Sequence, residues 1–402
     1  MIDHDDQGEW PVKRNHVLAG MMVGWLGGWG VAAEAAMPRV EIAPPQPSME
    51  LWATQAPLQL AQATSSSNLT AAQQAQLDEL LRQGQARVAA GDPAGALTAY
   101  RQAAQIDPQN ARIFSGMGYL YIQQGNYTEA VTAYRRALDL DRNNLAFRYG
   151  LAHSLFHSDQ LTEALAVYRE ILSRHPREAN AHLGIGSIQL QQGDEVAALA
   201  TYRELVRIAP GNAQAYEALG NLYIRQGNYD EALTYLNQGV RASSNKDSLY
   251  ASIASIHLLQ GNVSAARSAL TQALALNSTN AQAQHQMGYI LFQEGNREAA
   301  FEHLMRAVRI NPDLVSAHAL LGGILLEREQ YLQAVLSYRR VAEARPDDPA
   351  AFYNLGLALW GQGLQAQAVS NIELARSMYL RQGDPEGAER AAALMSFWGV
   401  AP

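Results

Sequence analysis

An alanine returns every 34 residues along most of this chain: Ala96, Ala130, Ala164, Ala198, Ala232, Ala266, Ala300, Ala334 and Ala368. In that register Leu77 to Gln382 aligns as nine consecutive units without insertion or deletion, each with alanine at position 20. A period of this size specifies a solenoid, in which one supersecondary unit recurs and each copy buries its apolar face on its neighbours. Position 8 is glycine or alanine throughout, as in Gly84, Gly118 and Ala152, and position 24 is large, as in Tyr100, Tyr134 and Ile372. Small residues opposite a large one let two helices approach closely. Glycine at position 15 of seven units suits a helix end in the left-handed region, with Asp159 and Glu329 in the other two. Asparagine or aspartate follows in six units, where a second helix begins, and proline at position 32 ends that helix in five. Each unit reads as helix, tight turn, helix, and the fold class is all-α.

These residues resemble the tetratricopeptide repeat family, as the unit Ala111 to Asn144 shows with Gly118, Tyr121, Gly125, Ala130, Tyr134 and Ala137. It departs at Arg142, where the family favours proline; later units depart at Gly239 (position 27) and at Ser244 and Ser278 (position 32). The resemblance covers 306 of 402 residues. It implies a right-handed superhelix, an α-solenoid of nine repeats over 77–382. Its concave groove, lined by the first helix of each unit, would take up an extended peptide or a partner helix. After Gln382, Gly383-Asp384-Pro385 breaks the pattern, and Ala388, Ala391, Ala392, Met395 and Trp398 form one apolar stripe. Residues 383–402 are therefore expected to supply a capping helix and tail.

Residues 1–35 read as a signal peptide or an N-terminal anchor. Val17 to Val31 carries no charge, follows Lys13 and Arg14, and precedes the small-residue pattern Ala33-Glu34-Ala35. Counted to Ala33, the apolar stretch has 17 residues, the lower limit for crossing a bilayer, so a membrane tether through 17–33 stands beside cleavage. Both alternatives imply export, to a periplasm or to a thylakoid lumen or envelope. Residues 36–76, rich in proline and serine, read as a flexible linker leading into the first helix.

The net charge of −8 has the wrong sign for a general nucleic-acid binder, so no nucleic acid is expected as a partner. The absence of cysteine excludes disulfides, thiolate metal sites and cysteine nucleophiles. There is no Gly-rich phosphate loop, no His-Glu-x-x-His and no Gly-x-Ser-x-Gly, and an enzyme is not expected.

With positions 4, 8 and 11 of the first helix assigned to the core, positions 2, 5, 9 and 13 form a separate stripe facing the groove. That stripe offers Arg112, Tyr119 and Gln123 in repeat two, Tyr149, His153 and His157 in repeat three, and Gln191 in repeat four. Repeat five adds Glu217, Asn221 and Arg225, repeat seven His285 and Tyr289, and repeat nine Tyr353. Polar and aromatic side chains with few charges favour hydrogen bonding and stacking over electrostatic capture. The lysine and asparagine clamp with which part of the family holds C-terminal carboxylates is not present. His153 and His157, four residues apart, can reach one metal ion; otherwise no cofactor is expected, so a weak divalent site is the alternative to plain groove lining.

The expected function is an exported interaction scaffold that binds a peptide or protein partner, a membrane-complex subunit, and assists assembly of a membrane or envelope complex. Nine uninterrupted repeats behind an export signal resemble the processing-associated periplasmic members of the family in cyanobacteria. That resemblance implies photosystem II biogenesis, binding of a reaction-centre tail, and manganese at His153 and His157. The alternatives are a structural subunit of a polysaccharide-export or outer-membrane assembly machine, or the substrate-selecting partner of a separate transferase.

Overall fold

The structure, a computed structural model, describes residues 69–401. The expected signal or anchor over 1–35, the tether through 17–33 and the linker up to residue 68 lie outside the described residues. The described residues form nineteen helices and no strand. They divide into two compact units. Residues 69–245 carry α1 (Ala71–Ala89), α2 (Pro93–Ile106), α3 (Ala111–Gln123), α4 (Tyr127–Leu140), α5 (Leu145–His157), α6 (Leu161–Arg174), α7 (Ala179–Gln191), α8 (Glu195–Ile208), α9 (Ala213–Arg225) and α10 (Tyr229–Ala242). Residues 246–401 carry α11 (Asp247–Leu259), α12 (Val263–Leu276), α13 (Ala281–Gln293), α14 (Arg297–Ile310), α15 (Val315–Glu327), α16 (Tyr331–Ala344), α17 (Pro349–Gly361), α18 (Gln365–Arg381) and α19 (Pro385–Phe397).

The 34-residue period is visible in the helix ends. From the second repeat on, every first helix runs from position 1 to position 13, and second helices start at position 17 and end at position 30 in the first eight repeats. Side chains just before the helices fix the starts: Asn144, Asn212 and Asn280 accept from the backbone N–H three residues on, as do Asp92, Asp194 and Asn262 before second helices. The second helix of repeat nine, with Leu380 at position 32, runs on to Arg381, whereas α4, α10 and α12 end at position 30 although Arg142, Ser244 and Ser278 stand in place of the proline there.

All nine position-15 residues lie in the left-handed region. The seven glycines have φ of 72 to 86°, and Asp159 and Glu329, the two departures from the pattern, follow at 61° and 57°. The turn geometry is thus kept at both sites despite a side chain that disfavours it.

The nine alanines of position 20 are fully buried, and Tyr100, Tyr134, Tyr168 and Tyr202 of position 24 are the bulkiest fully buried side chains. A Cβ placed on Gly118 would stand 2.7 Å from the Tyr134 ring, which is why position 8 stays small. Gly239 is explained the same way: a Cβ there would stand 2.7 Å from Cβ of Tyr216, whose ring takes the space the family's alanine would fill.

The first-helix core differs from expectation. It centres on positions 3, 7 and 10, as Ala215, Leu219 and Leu222 show, beside position 8, while positions 4 and 11 are buried in some repeats only. Position 4 has another use. The side chains of Arg148, His182, Gln284 and His318 bond to the carbonyls of Arg142, Pro176, Ser278 and Pro312, all at position 32 of the preceding repeat. Each ties an incoming first helix to the loop that delivers it. In the C-terminal unit α19 closes the stack: the Trp360 and Trp398 rings lie parallel with centroids 4.1 Å apart, and Ala391 and Met395 bury against Ile372.

Candidate functional site

In the unit of residues 69–245, α3, α5, α7 and α9 supply the candidate stripe. Position 13 is its open edge: Gln123, Gln191 and Arg225 are exposed, and His157 is half-buried. The three exposed side chains are held, one from its own helix and two from the preceding repeat. The Gln123 amide donates to the Tyr119 hydroxyl at 2.8 Å, Gln191 donates to Asp159 of the preceding repeat at 3.3 Å, and Arg225 pairs with Glu195 at 3.1 Å. Arg112, Tyr119, Glu217 and Asn221 are half-buried.

Position 5 lies deeper than the spacing suggests. Leu81, Tyr149, Leu183, Ala251 and His285 are all buried there, because position 5 sits three residues before position 8 on the ridge that packs. Tyr149 spends its hydroxyl on Glu178 at 3.1 Å. In the unit of residues 246–401 His285 is 1% exposed, whereas Tyr289 and Tyr353 are half-buried. His285 is flanked by buried Gln284 and Gln286; both of its ring nitrogens and Oε1 of Gln286 lack a hydrogen-bond partner. Burial pushes the His285 pKa down to about 4, so it is neutral at pH 7.

Repeat three carries the densest chemistry. The His153 and His157 rings stand 4.2 Å apart between centroids, tilted by 55°. Tyr127, at the start of α4, stacks on His157 at 4.9 Å and meets His153 edge-on at 6.3 Å, and Phe156 meets His157 edge-on at 5.2 Å. Burial, reinforced by the neighbouring imidazole, pushes the His153 pKa down to about 3, and burial lowers that of His157. Both rings are neutral at pH 7 and keep lone pairs. Among the described residues no three histidine, aspartate or glutamate side chains converge as a metal site, and the pair lacks the carboxylates that manganese favours. The spacing of His153 and His157 was legible in sequence. Tyr127 was not, because it reaches them from another helix; neither were the position-4 bonds, because their acceptors are backbone carbonyls.

Sequence patterns described as tetratricopeptide repeat match residues 81–145, 149–213, 189–255 and 257–324, and one described as TPR repeat matches 322–363. The chain belongs to the tetratricopeptide repeat family. A TPR repeat-containing protein of Picosynechococcus sp. is 41% identical over 59 residues, which span 15% of this tetratricopeptide-repeat chain and 15% of that relative. A tetratricopeptide repeat protein from Parabacteroides merdae matches with a TM-score of 0.50 at 19% identity, covering 62% of this chain and 99% of that one. A chain of the APC/C hetero-tetramer Cut9–Hcn1 matches with a TM-score of 0.50 at 14% identity, covering 85% and 81%. Such likeness speaks to fold. Tetratricopeptide repeats mark this protein as a protein–protein interaction scaffold, on a fold that is typically non-catalytic.

Proposed function

We propose that the protein is an exported adaptor that holds an extended peptide or a partner helix along the first-helix face of repeats two to five, and so assists assembly of a membrane or envelope complex. The observation that carries this reading is the run of open or half-buried side chains at position 13 of repeats two to five, Gln123, His157, Gln191 and Arg225, flanked by half-buried Tyr119 and Asn221 at position 9, where His153 and Ser187 are instead buried. Amides and aromatic rings dominate the run, which suits a partner's backbone amides and apolar side chains. Export and the membrane-complex partner rest on the charge and apolar pattern of residues 1–35. Photosystem II biogenesis is one candidate pathway.

The test is capture from the host's envelope extract with the parent chain and with a variant carrying alanine at Tyr119, Gln123, His157, Asn221 and Arg225. These sites are chosen because none is fully buried, and circular dichroism checks the helical content of both baits. Recovery of one membrane-complex subunit by the parent alone is the expected result. Equal recovery by both overturns first-helix recognition and directs attention to the second-helix surfaces, as a spacing scaffold requires.

A further inference from the structure

We propose that His153 and His157 together hold one nitrogen-preferring divalent cation of the nickel, copper and zinc class, whose remaining coordination positions a donor from the bound partner completes. The geometry carries the argument. An imidazole nitrogen stands about 2.0–2.1 Å from zinc, which places each ring centroid about 3.2 Å from the ion; two centroids then stand about 4.5 Å apart at the right angle of a square-planar ion and about 5.2 Å apart at zinc's tetrahedral angle. The rings stand 4.2 Å apart, so turning their nitrogens to one ion requires opening the pair by a few tenths of an ångström for a square-planar ion and by about 1 Å for tetrahedral zinc. They sit four residues apart at positions 9 and 13 of α5, and the sequence holds no second histidine pair at that spacing. Tyr127 and Phe156 against His157 limit the ring's freedom, which reduces the ordering cost of chelation.

The donor set selects the metal. Two imidazoles without a converging carboxylate suit nickel, copper or zinc and disfavour manganese, which also stands lowest in the affinity order of the divalent series. Two protein ligands leave open positions, and His157 is only half-buried, so they are reached from the face on which the partner is proposed to lie. A partner histidine or carboxylate there would turn the ion into a bridge. This half of the inference rests on the first-helix reading; binding of the ion by the isolated chain does not.

The experiment therefore has two arms. In the first, the full chain is titrated with Zn2+ and separately with Mn2+, beside His157→Gln and His153→Asn variants whose melting curves report folding. One Zn2+ per chain is expected, bound roughly tenfold or more weakly by His157→Gln, with X-ray absorption of the zinc-loaded parent showing two imidazole nitrogens. Equal Zn2+ affinity in parent and folded His157→Gln, a spectrum without the imidazoles, or tighter Mn2+ than Zn2+ would overturn the site. In the second arm, partner capture is repeated with a chelator and with His157→Gln. Loss in both supports the bridge, and capture unchanged by either overturns it while leaving the first-helix reading intact.

Discussion

Glu329 occupies a backbone conformation that seven of its eight counterparts meet with glycine, so Glu329→Gly should stabilise the C-terminal unit. Its φ of 57° lies in the left-handed region, which costs a side-chain-bearing residue about 1–2 kcal/mol. Glycine gains greater freedom in the unfolded chain, which offsets about 0.4–1 kcal/mol of that relief. The net gain is about 0.5–1 kcal/mol, and with a urea slope of about 2 kcal/mol per molar the midpoint should rise by about 0.3–0.5 M. Trp360 and Trp398 lie in the same unit as Glu329, and their stacked rings make fluorescence the natural probe once the four tryptophans before residue 69 are replaced by phenylalanine. Glu329→Ala is the decisive control, because it removes the carboxylate and keeps the strained φ. An unchanged midpoint in Glu329→Gly, or an equal rise in Glu329→Ala, would refute the backbone argument. Asp159→Gly should gain less: aspartate tolerates this region better than glutamate, and the Asp159 carboxylate accepts a bond from Gln191 that glycine would lose.

Two further outcomes follow from the packing. Gly118→Val should destabilise the N-terminal unit by about 1–3 kcal/mol, read as a lower urea midpoint by circular dichroism, because even one carbon there would stand 2.7 Å from the Tyr134 ring. His285 should make the C-terminal unit acid-sensitive. Its folded pKa is depressed from 6.5 to about 4, so as pH falls the unfolded chain binds the proton first; the stability contribution is complete above about pH 6.5 and declines by about 1.4 kcal/mol per pH unit towards pH 4. His285→Leu should flatten that slope in urea midpoints taken between pH 7 and pH 4.5, and an unaltered slope would refute the assignment.

The repeat, its helices and their ends were legible because they depend on local requirements that one residue type satisfies: alanine at the crossing, glycine or its substitutes at the turn, asparagine or aspartate at the helix start. Asp159 and Glu329 show that the geometry outlives the residue, since neighbouring helices hold the turn whichever side chain occupies it. The depth of the first helix was less legible. Periodicity separates one face from another but does not say how many neighbours that face meets, and in a stack the first helix packs on its own second helix and on adjacent repeats. Positions 3, 7 and 10 take the centre for that reason. Position 4, with histidine, arginine or glutamine in four repeats, was read as core although it reaches a backbone carbonyl six residues earlier.

That depth bears on where recognition can reside. Positions 8, 20 and 24 are committed to stacking, and any change there alters every contact of the repeat. Position 5 is divided: it packs in repeats one, three, four, six and seven and is half-open in the others, so identity there answers to packing as well as to any partner. Position 9 is divided in the same way, with His153, Ser187, Ser255 and Leu357 buried, so position 13 is the one of these on the first helix where a side chain can vary with less loss of core. In repeats two and three positions 9 and 13 carry Tyr119, Gln123, His153 and His157, and Tyr127 reaches in from α4 to pack on both imidazoles. A change at Gln123 or His157 should therefore alter partner capture before it alters stability. Changes at Tyr149 or His285 should do the reverse, which is why the capture variant leaves those two in place.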